Sequence, residues 1–254
     1  GISAYLAGQK KTPREAGLFL IKRGIWLIAV ELVIVSFLIT FNPFYNVLIL
    51  QVIWAIGCSM ILLGLCIRGS YWLVLVIGLL LVLGHNLTDY MVLPQDGAPA
   101  ALWKIFFTAF GSALPLSKNH LILDLYAVLP YTGIMFCGYA LGPIFRNAFP
   151  LEKRRRILVA LGFGIVALFI VLRVINAYGE PVNWKWYPSN LQNLFSFLNA
   201  SKYPPSLMYT CMTIGPGLLA LAIYENIQSN FTRFVSVYGQ VPFFYYVFHF
   251  FLIH

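Results

Sequence analysis

Seven stretches of this chain, about 17–41, 47–67, 71–90, 121–143, 157–176, 205–227 and 241–254, are apolar and nearly free of charge. A helix needs roughly 20 such residues to cross the hydrocarbon core of a bilayer, and these runs approach or meet that length. No soluble fold accommodates them. Of the 254 residues 60% are hydrophobic and 10% charged, whereas a soluble domain carries roughly 25% charge to cover its water-facing surface. Loop signals separate the runs, at Asn42-Pro43, Arg68-Gly69-Ser70, Pro94-Gln95-Asp96-Gly97 and Tyr203-Pro204-Pro205. The predicted fold is therefore all-α: one polytopic transmembrane helical bundle over residues 1–254, with about seven spans.

The opening residues read as the tail of a preceding helix, and the chain ends inside an apolar run. The sequence is therefore expected to be truncated at both ends, without a cleavable signal peptide.

Orientation follows from the basic residues. Lys10, Lys11, Arg14, Lys22, Arg23, Arg68, Arg146, Lys153, Arg154, Arg155, Arg156 and Arg233 fall on one side, and Lys104, Lys118, Arg173, Lys185 and Lys202 on the other, which accounts for all 17. The richer side is read as cytoplasmic. The same bias explains the net charge of +9 without invoking nucleic acid. The long loops 91–120 and 177–204 then face outward. They carry Trp103, Phe106, Phe107, Phe110, Trp184, Trp186 and Tyr187, rings suited to a headgroup-level belt or to an amphipathic, sugar-like acceptor.

Ionisable groups within spans are costly and call for a partner or a function. His85, Asn86 and Asp89 close one outer helix end, Asp124 and Tyr126 open the next span, and Arg173, Asn176 and Glu180 close another. On an α-helix His85 and Asp89, four apart, share a face. A carboxylate that orients a histidine is the arrangement a general base uses; a solvated interfacial pair is the plainer reading. Glu31, deep in its helix, reads as a structural ion pair or hydrogen bond, with proton coupling as the alternative. His249 and His254 lie about 140° apart on a helix and make a poor chelating pair. Cys58, Cys66, Cys137 and Cys211 sit in apolar runs without metal-ligand spacing and read as small packers. Gly138 and Gly142 form a small-xxx-small pair for close helix approach. The sequons at Asn86, Asn199 and Asn230 matter only in a secretory pathway.

Four segments together resemble a known family: Gly1-Ile2-Ser3-Ala4-Tyr5-Leu6-Ala7-Gly8, Gly84-His85-Asn86-Leu87-Thr88-Asp89, Lys202-Tyr203-Pro204-Pro205-Ser206-Leu207, and the ending from Gly239 through His249 to His254. The chain resembles the bacterial relatives of heparan-α-glucosaminide N-acetyltransferase, among the transmembrane acyltransferases. The resemblance implies an integral protein of the bacterial inner membrane that takes an acyl group, typically acetyl, from acetyl-CoA in the cytoplasm. It passes the group to a small-molecule or glycan acceptor outside, with no metal and with a homodimer as an open option.

Under that resemblance His85 or His249 is the base or acyl-positioning group, and Asp89 the orienter. Lys10, Lys11, Arg14 and Arg23 meet the coenzyme's phosphates, although topology alone also explains them. Asp124, Arg173, Lys202 and Tyr203 hold the acceptor. The histidine usually held catalytic in the lysosomal relative falls before Gly1 and is not carried over. A transporter or flippase of a sugar- or lipid-linked substrate, and a non-catalytic scaffold, are the competing classes; the first predicts an internal repeat, and none is visible.

Overall fold

A computed structural model describes residues 1–92, 97–108, 112–225, 227 and 229–253. His254, Phe110 and the Pro94-Gln95-Asp96 loop signal lie outside the described residues. The protein is mostly helical. Among the described residues four helices are long and apolar enough to cross a membrane: Tyr71–Tyr90, Val128–Phe145, Leu151–Ile175 and Leu207–Tyr224. Only 22% to 39% of each is buried within the protein, and the rest is apolar surface that lipid can cover.

A short helix α1 (Ile2–Gly8) leads to α2 (Pro13–Val30). Thr12 starts α2 through a capping box: its hydroxyl accepts from the Glu15 N–H at 3.3 Å, and Glu15 Oε2 accepts from the Thr12 N–H at 2.9 Å. Those bonds hold the exposed Glu15 carboxyl below its ordinary range, first through the backbone N–H of Thr12. The helix widens into a π turn at Glu31–Val35 and finishes as α3 (Ser36–Thr40). Ser36, fully buried, fastens this turn to the next element: its hydroxyl donates to Glu31 O at 3.1 Å and accepts from the Ile49 N–H at 3.1 Å.

The expected all-α class needs one correction. Val47–Leu50 (β1), Ser112–Ser117 (β2) and His120–Asp124 (β3) form a sheet in the order β1-β3-β2, with β1 parallel and β2 antiparallel to β3. The apolar runs expected at 47–67 and 121–143 therefore open as strands. Their helices begin later, at Val52 in α4 (Val52–Cys66) and at Val128 in α7 (Val128–Leu141). A four- or five-residue apolar run does not distinguish a buried strand from a helix; pairing to a distant segment decides it. Among the described residues four of the about seven expected spans have the full length; α4 and the terminal α12 (Pro242–Ile253) are apolar but shorter.

Glycine governs the tightest contact. Gly17 and Gly24 on α2 face Gly64 and Gly57 on antiparallel α4, and a Cβ added at Gly17 or Gly24 would lie 2.5 Å from the partner's carbonyl oxygen. Seven residues are two turns, so both glycines present the same face. Buried Ser59 of α4 and Thr132 of α7 then bring their hydroxyls to 2.9 Å. Helix α5 (Tyr71–Gly84), capped by Ser70, lies along α7, with Gly78 against Phe136 and Gly133 against Leu81. The expected pair Gly138 and Gly142 receives α1: Gly142 lies under the Tyr5 ring and Gly138 against Gly1.

A second helix pair, α8 (Leu151–Ile175) with α10 (Leu207–Tyr224), packs mainly on itself, with Gly162 and Gly215 at its crossing. Arg154 and Glu225 join the two helices in an ion pair near Phe145. Between them lies α9 (Asn190–Leu198). The remaining helices are α6 (Gly97–Trp103), followed by a π turn, and α11 (Asn230–Gln240), which is exposed and precedes α12. The turns after α1, α4, α7 and α10 gather at one end, here the basic end. The sheet, the segment after α5 and the α8–α10 connection gather at the other, here the distal end.

Candidate active site

The distal end holds most of the residues singled out from sequence, in arrangements the sequence does not give. His85 follows the last residue of α5 and is only 7% exposed, and its Nε2 has no hydrogen-bond partner. The expected His85–Asp89 pairing is not made. Residues His85–Tyr90 tighten into a 3-10 helix, in which about three residues complete a turn, so residues four apart leave the common face. Asp89 instead accepts from Asn86 Nδ2 at 2.7 Å. Asn86, 2% exposed, also accepts from the Leu207 N–H at 2.8 Å and so ties this segment to the start of α10. With its amide engaged in both directions and buried, the Asn86 sequon cannot present a glycosylation site.

Asp124 ends β3, ahead of the membrane-crossing helix α7, and is fully buried. Its carboxyl lies against the Tyr126 backbone N–H, yet neither oxygen completes a hydrogen bond. Burial pushes the carboxyl up from its ordinary 3.8 to about 7. Tyr126 reaches Tyr203, hydroxyl to hydroxyl, at 3.0 Å, and its ring packs on Tyr131 and Tyr203 at centroid distances of 5.4 and 5.1 Å. Lys202 lies over the Tyr203 ring at 4.9 Å, and its bond to Tyr203 raises the ammonium's pKa. Tyr126 therefore links three of the four expected acceptor residues, Asp124, Lys202 and Tyr203, into one patch.

Arg173 is not part of that patch. It is 2% exposed, and four of its five N–H groups go to backbone carbonyls: Phe197 at 2.8 Å, Ser196 at 2.9 Å, Asn199 at 2.6 Å and Val182 at 3.4 Å. Three of these belong to the C-terminal turn of α9 and its exit, where helix carbonyls lack intrahelical partners. Glu180 acts similarly on the next stretch, accepting from the Ser201 N–H at 3.1 Å, the Ser201 hydroxyl, and the Ser206 hydroxyl at 2.7 Å. Trp184 donates to Arg173 O at 2.8 Å and packs on Trp186 and Phe197. The aromatic residues of this loop are thus partly its own packing.

Glu31 is fully buried on the π turn; Oε1 accepts from the Gln51 N–H at 2.9 Å, and Oε2 has no partner. Gln51 follows Leu50, the residue that Asp124 faces across the sheet. Tyr246 of α12 lies in electrostatic reach of Glu31 and Tyr126, and its hydroxyl lies against the Ile53 backbone without completing a hydrogen bond. Sequence reasoning did not single out Tyr131 or Tyr246. A tyrosine in an apolar run carries no signal of its own, because only packing shows where the hydroxyl ends. His249 stands apart, exposed on α12, with Nδ1 3.2 Å from Tyr245 O and its ring against Phe250.

At the basic end Lys10, Lys11 and Arg14 are exposed, and Lys11 lies 5.5 Å over the Phe19 ring; Arg23, also exposed, lies about 15 Å further along α2. Cys58, Cys66, Cys137 and Cys211 are free thiols within the helices. Among the described residues no three His, Cys, Asp or Glu side chains come together as a metal site.

A mostly helical protein with lipid-compatible spans and buried, partly unpartnered acid, imidazole and phenol groups at one end belongs to the class of polytopic membrane proteins that carry a polar site. Residues 1–174 match the family model described as heparan-alpha-glucosaminide N-acetyltransferase, catalytic, and the chain belongs to that family. No curated protein and no solved structure matches.

Proposed function

We propose that the protein is a membrane acetyltransferase that takes its acyl group from acetyl-CoA at the basic end, on the cytoplasmic side. It delivers the group to a sugar-like acceptor at the distal end, outside the bacterial inner membrane, where loops 91–120 and 177–204 lie. The family match over residues 1–174 carries this reading. The distal end supports it, because unpartnered buried groups there, His85 Nε2 and, apart from it, the Asp124 oxygens, leave room for a substrate's donors and acceptors.

In the reaction the acceptor's oxygen or nitrogen bonds to the thioester carbonyl carbon as the C–S bond breaks. The acceptor's proton passes to a base, and the departing thiolate is finally protonated. His85 is proposed as that base or as the acyl-positioning group, with His249 as its alternative. Asp124, with Lys202 and Tyr203, holds the acceptor; a carboxyl near neutrality can also accept a proton at physiological pH. Asp89 acts one step removed, by fixing Asn86. Arg173 shapes the wall of the acceptor site by holding α9. Lys10, Lys11, Arg14 and Arg23 meet the donor's phosphates from their exposed positions.

The test is acetyl-CoA binding by calorimetry to the full chain purified in detergent, followed by acyl transfer in His85→Ala. Saturable binding, and turnover reduced by about a hundredfold with expression intact, is expected for loss of a general base. Binding with unchanged turnover removes His85 from the mechanism. No binding by folded protein removes the acetyl-CoA reading.

A further inference from the structure

The basic end contains a cavity of about 570 Å³, within the size range of small-molecule sites. Its walls are unlike those of the distal patch. Tyr5, Tyr71 and Tyr139 supply three aromatic side chains from α1, α5 and α7, and Arg146, exposed after α7, supplies a cation. Tyr5 and Tyr139 meet edge to face at 5.3 Å. The Arg146 guanidinium stacks over the Tyr5 ring at 5.1 Å and donates to its hydroxyl. The Tyr71 hydroxyl donates to Ala140 O at 2.5 Å, which fixes the opposite wall.

Two sources of positive potential face the cavity: Arg146, and the N-terminus of α5, which begins at the lining residue Tyr71. Arg68 neighbours the lining residue Gly69, but its side chain lies against Gly17 of α2. Among the described residues no Asp or Glu lines the cavity to oppose these two sources. The chemistry that uses both features is a planar heteroaromatic ring bearing phosphate: the rings stack on the base, and the guanidinium takes phosphate oxygens. A phospholipid headgroup would use the cations and leave the tyrosine walls without a partner.

We propose that this cavity is a nucleotide subsite in which Tyr71 and Tyr139 receive the base and Arg146, held in place by Tyr5, receives the phosphates of the acyl donor. The assignment of the ligand as the donor's own nucleotide rests on the acetyl-CoA reading above. It moves the centre of donor recognition from the α1–α2 turn, with Lys10, Lys11 and Arg14, to the cleft between α1, α5 and α7.

Adenosine 3′,5′-bisphosphate, which has the nucleotide and no thioester, is titrated into the full chain in nanodiscs of zwitterionic lipid. Saturable binding is expected, weakened about tenfold or more in Arg146→Gln, as for loss of a charge-assisted hydrogen bond, and partly restored in Arg146→Lys. In acyl-transfer assays, Arg146→Gln and Tyr139→Leu should raise KM for acetyl-CoA and leave KM for acetyl-pantetheine, which lacks the nucleotide, where it was. That selective change is one a general packing defect does not produce. Absence of bisphosphate binding by folded protein overturns the subsite. So does equal competition by inorganic phosphate with loss of binding in phosphatidylglycerol nanodiscs, which would make it a headgroup site. Bisphosphate binding that follows Arg146, without transfer from either donor, upholds the subsite and sinks the acetyltransferase reading instead.

Discussion

Arg173 and Asp124 are both charged-type residues, both buried at the distal end, and treated by the fold in opposite ways. Arg173 spends four donors on carbonyls of α9 and the loop around it, while both oxygens of Asp124 are left without a hydrogen bond. Glu180 belongs with Arg173, since its two oxygens take up the backbone and hydroxyl groups of Ser201 and Ser206. Glu31 stands between, with one oxygen engaged and one open. A buried charge that satisfies the backbone is building structure. A buried carboxyl without a hydrogen bond destabilises the fold, and under the proposed function Asp124 is kept in that state to hold the acceptor.

The contrast is sharpest if Arg173 is replaced. Arg173→Met fills the space but leaves four carbonyls without donors, at about 1–3 kcal/mol each if they stay buried. Thermal unfolding in detergent should show a loss of about 3 kcal/mol or more, with the α8–α10 connection becoming protease-sensitive. A small loss would mean that water replaces the guanidinium and that α9 is not held by it. Glu180→Ala should cost less, about 2 kcal/mol, measured the same way, because it strips partners only from Ser201 and Ser206, and Ser201 is half-exposed.

Asp124→Asn should move in the other direction. The folded protein holds this proton more tightly than the unfolded chain, since the carboxyl is raised from 3.8 to about 7. Its contribution is therefore most favourable at low pH, is lost as pH rises from about 4 to about 7, and stays lost above. At pH 8 the variant should be more stable than the parent by on the order of 1 kcal/mol, with the difference vanishing near pH 4, while acyl transfer falls. A variant less stable at pH 8 would show that Asp124 has a structural partner and erase the distinction from Arg173. The smallest effect is expected for Tyr126→Phe, which removes one bond to Tyr203: about 0.5–1.5 kcal/mol in stability, with a larger rise in KM for the acceptor if the patch binds it.

The expected sites were legible as residue types at a depth, and much less as partnerships. His85, Asn86, Asp89, Asp124, Arg173 and Glu180 stand out because polar groups at helix ends in an apolar chain are few. Their partners do not stand out. Arg173 binds main-chain carbonyls 9 to 26 residues away, and a carbonyl has no sequence signature. The His85–Asp89 expectation assumed 3.6 residues per turn, and the local tightening to a 3-10 helix voided it.

The sequence by itself determined the solvent, because 10% charge over 254 residues cannot face water. It also determined the basic bias between alternate loops and the close helix approach at Gly138 and Gly142. Tertiary structure alone decided that the runs opening at Val47 and near Leu121 are strands, that Gly17 and Gly24 meet Gly64 and Gly57, and that Arg173 serves the fold while Asp124 stays open. The physical reason is range. Hydropathy and charge are properties of a residue and act through its solvent, so they are readable in order along the chain. Hydrogen bonding and close packing are properties of pairs, and the pairs are made by segments tens of residues apart.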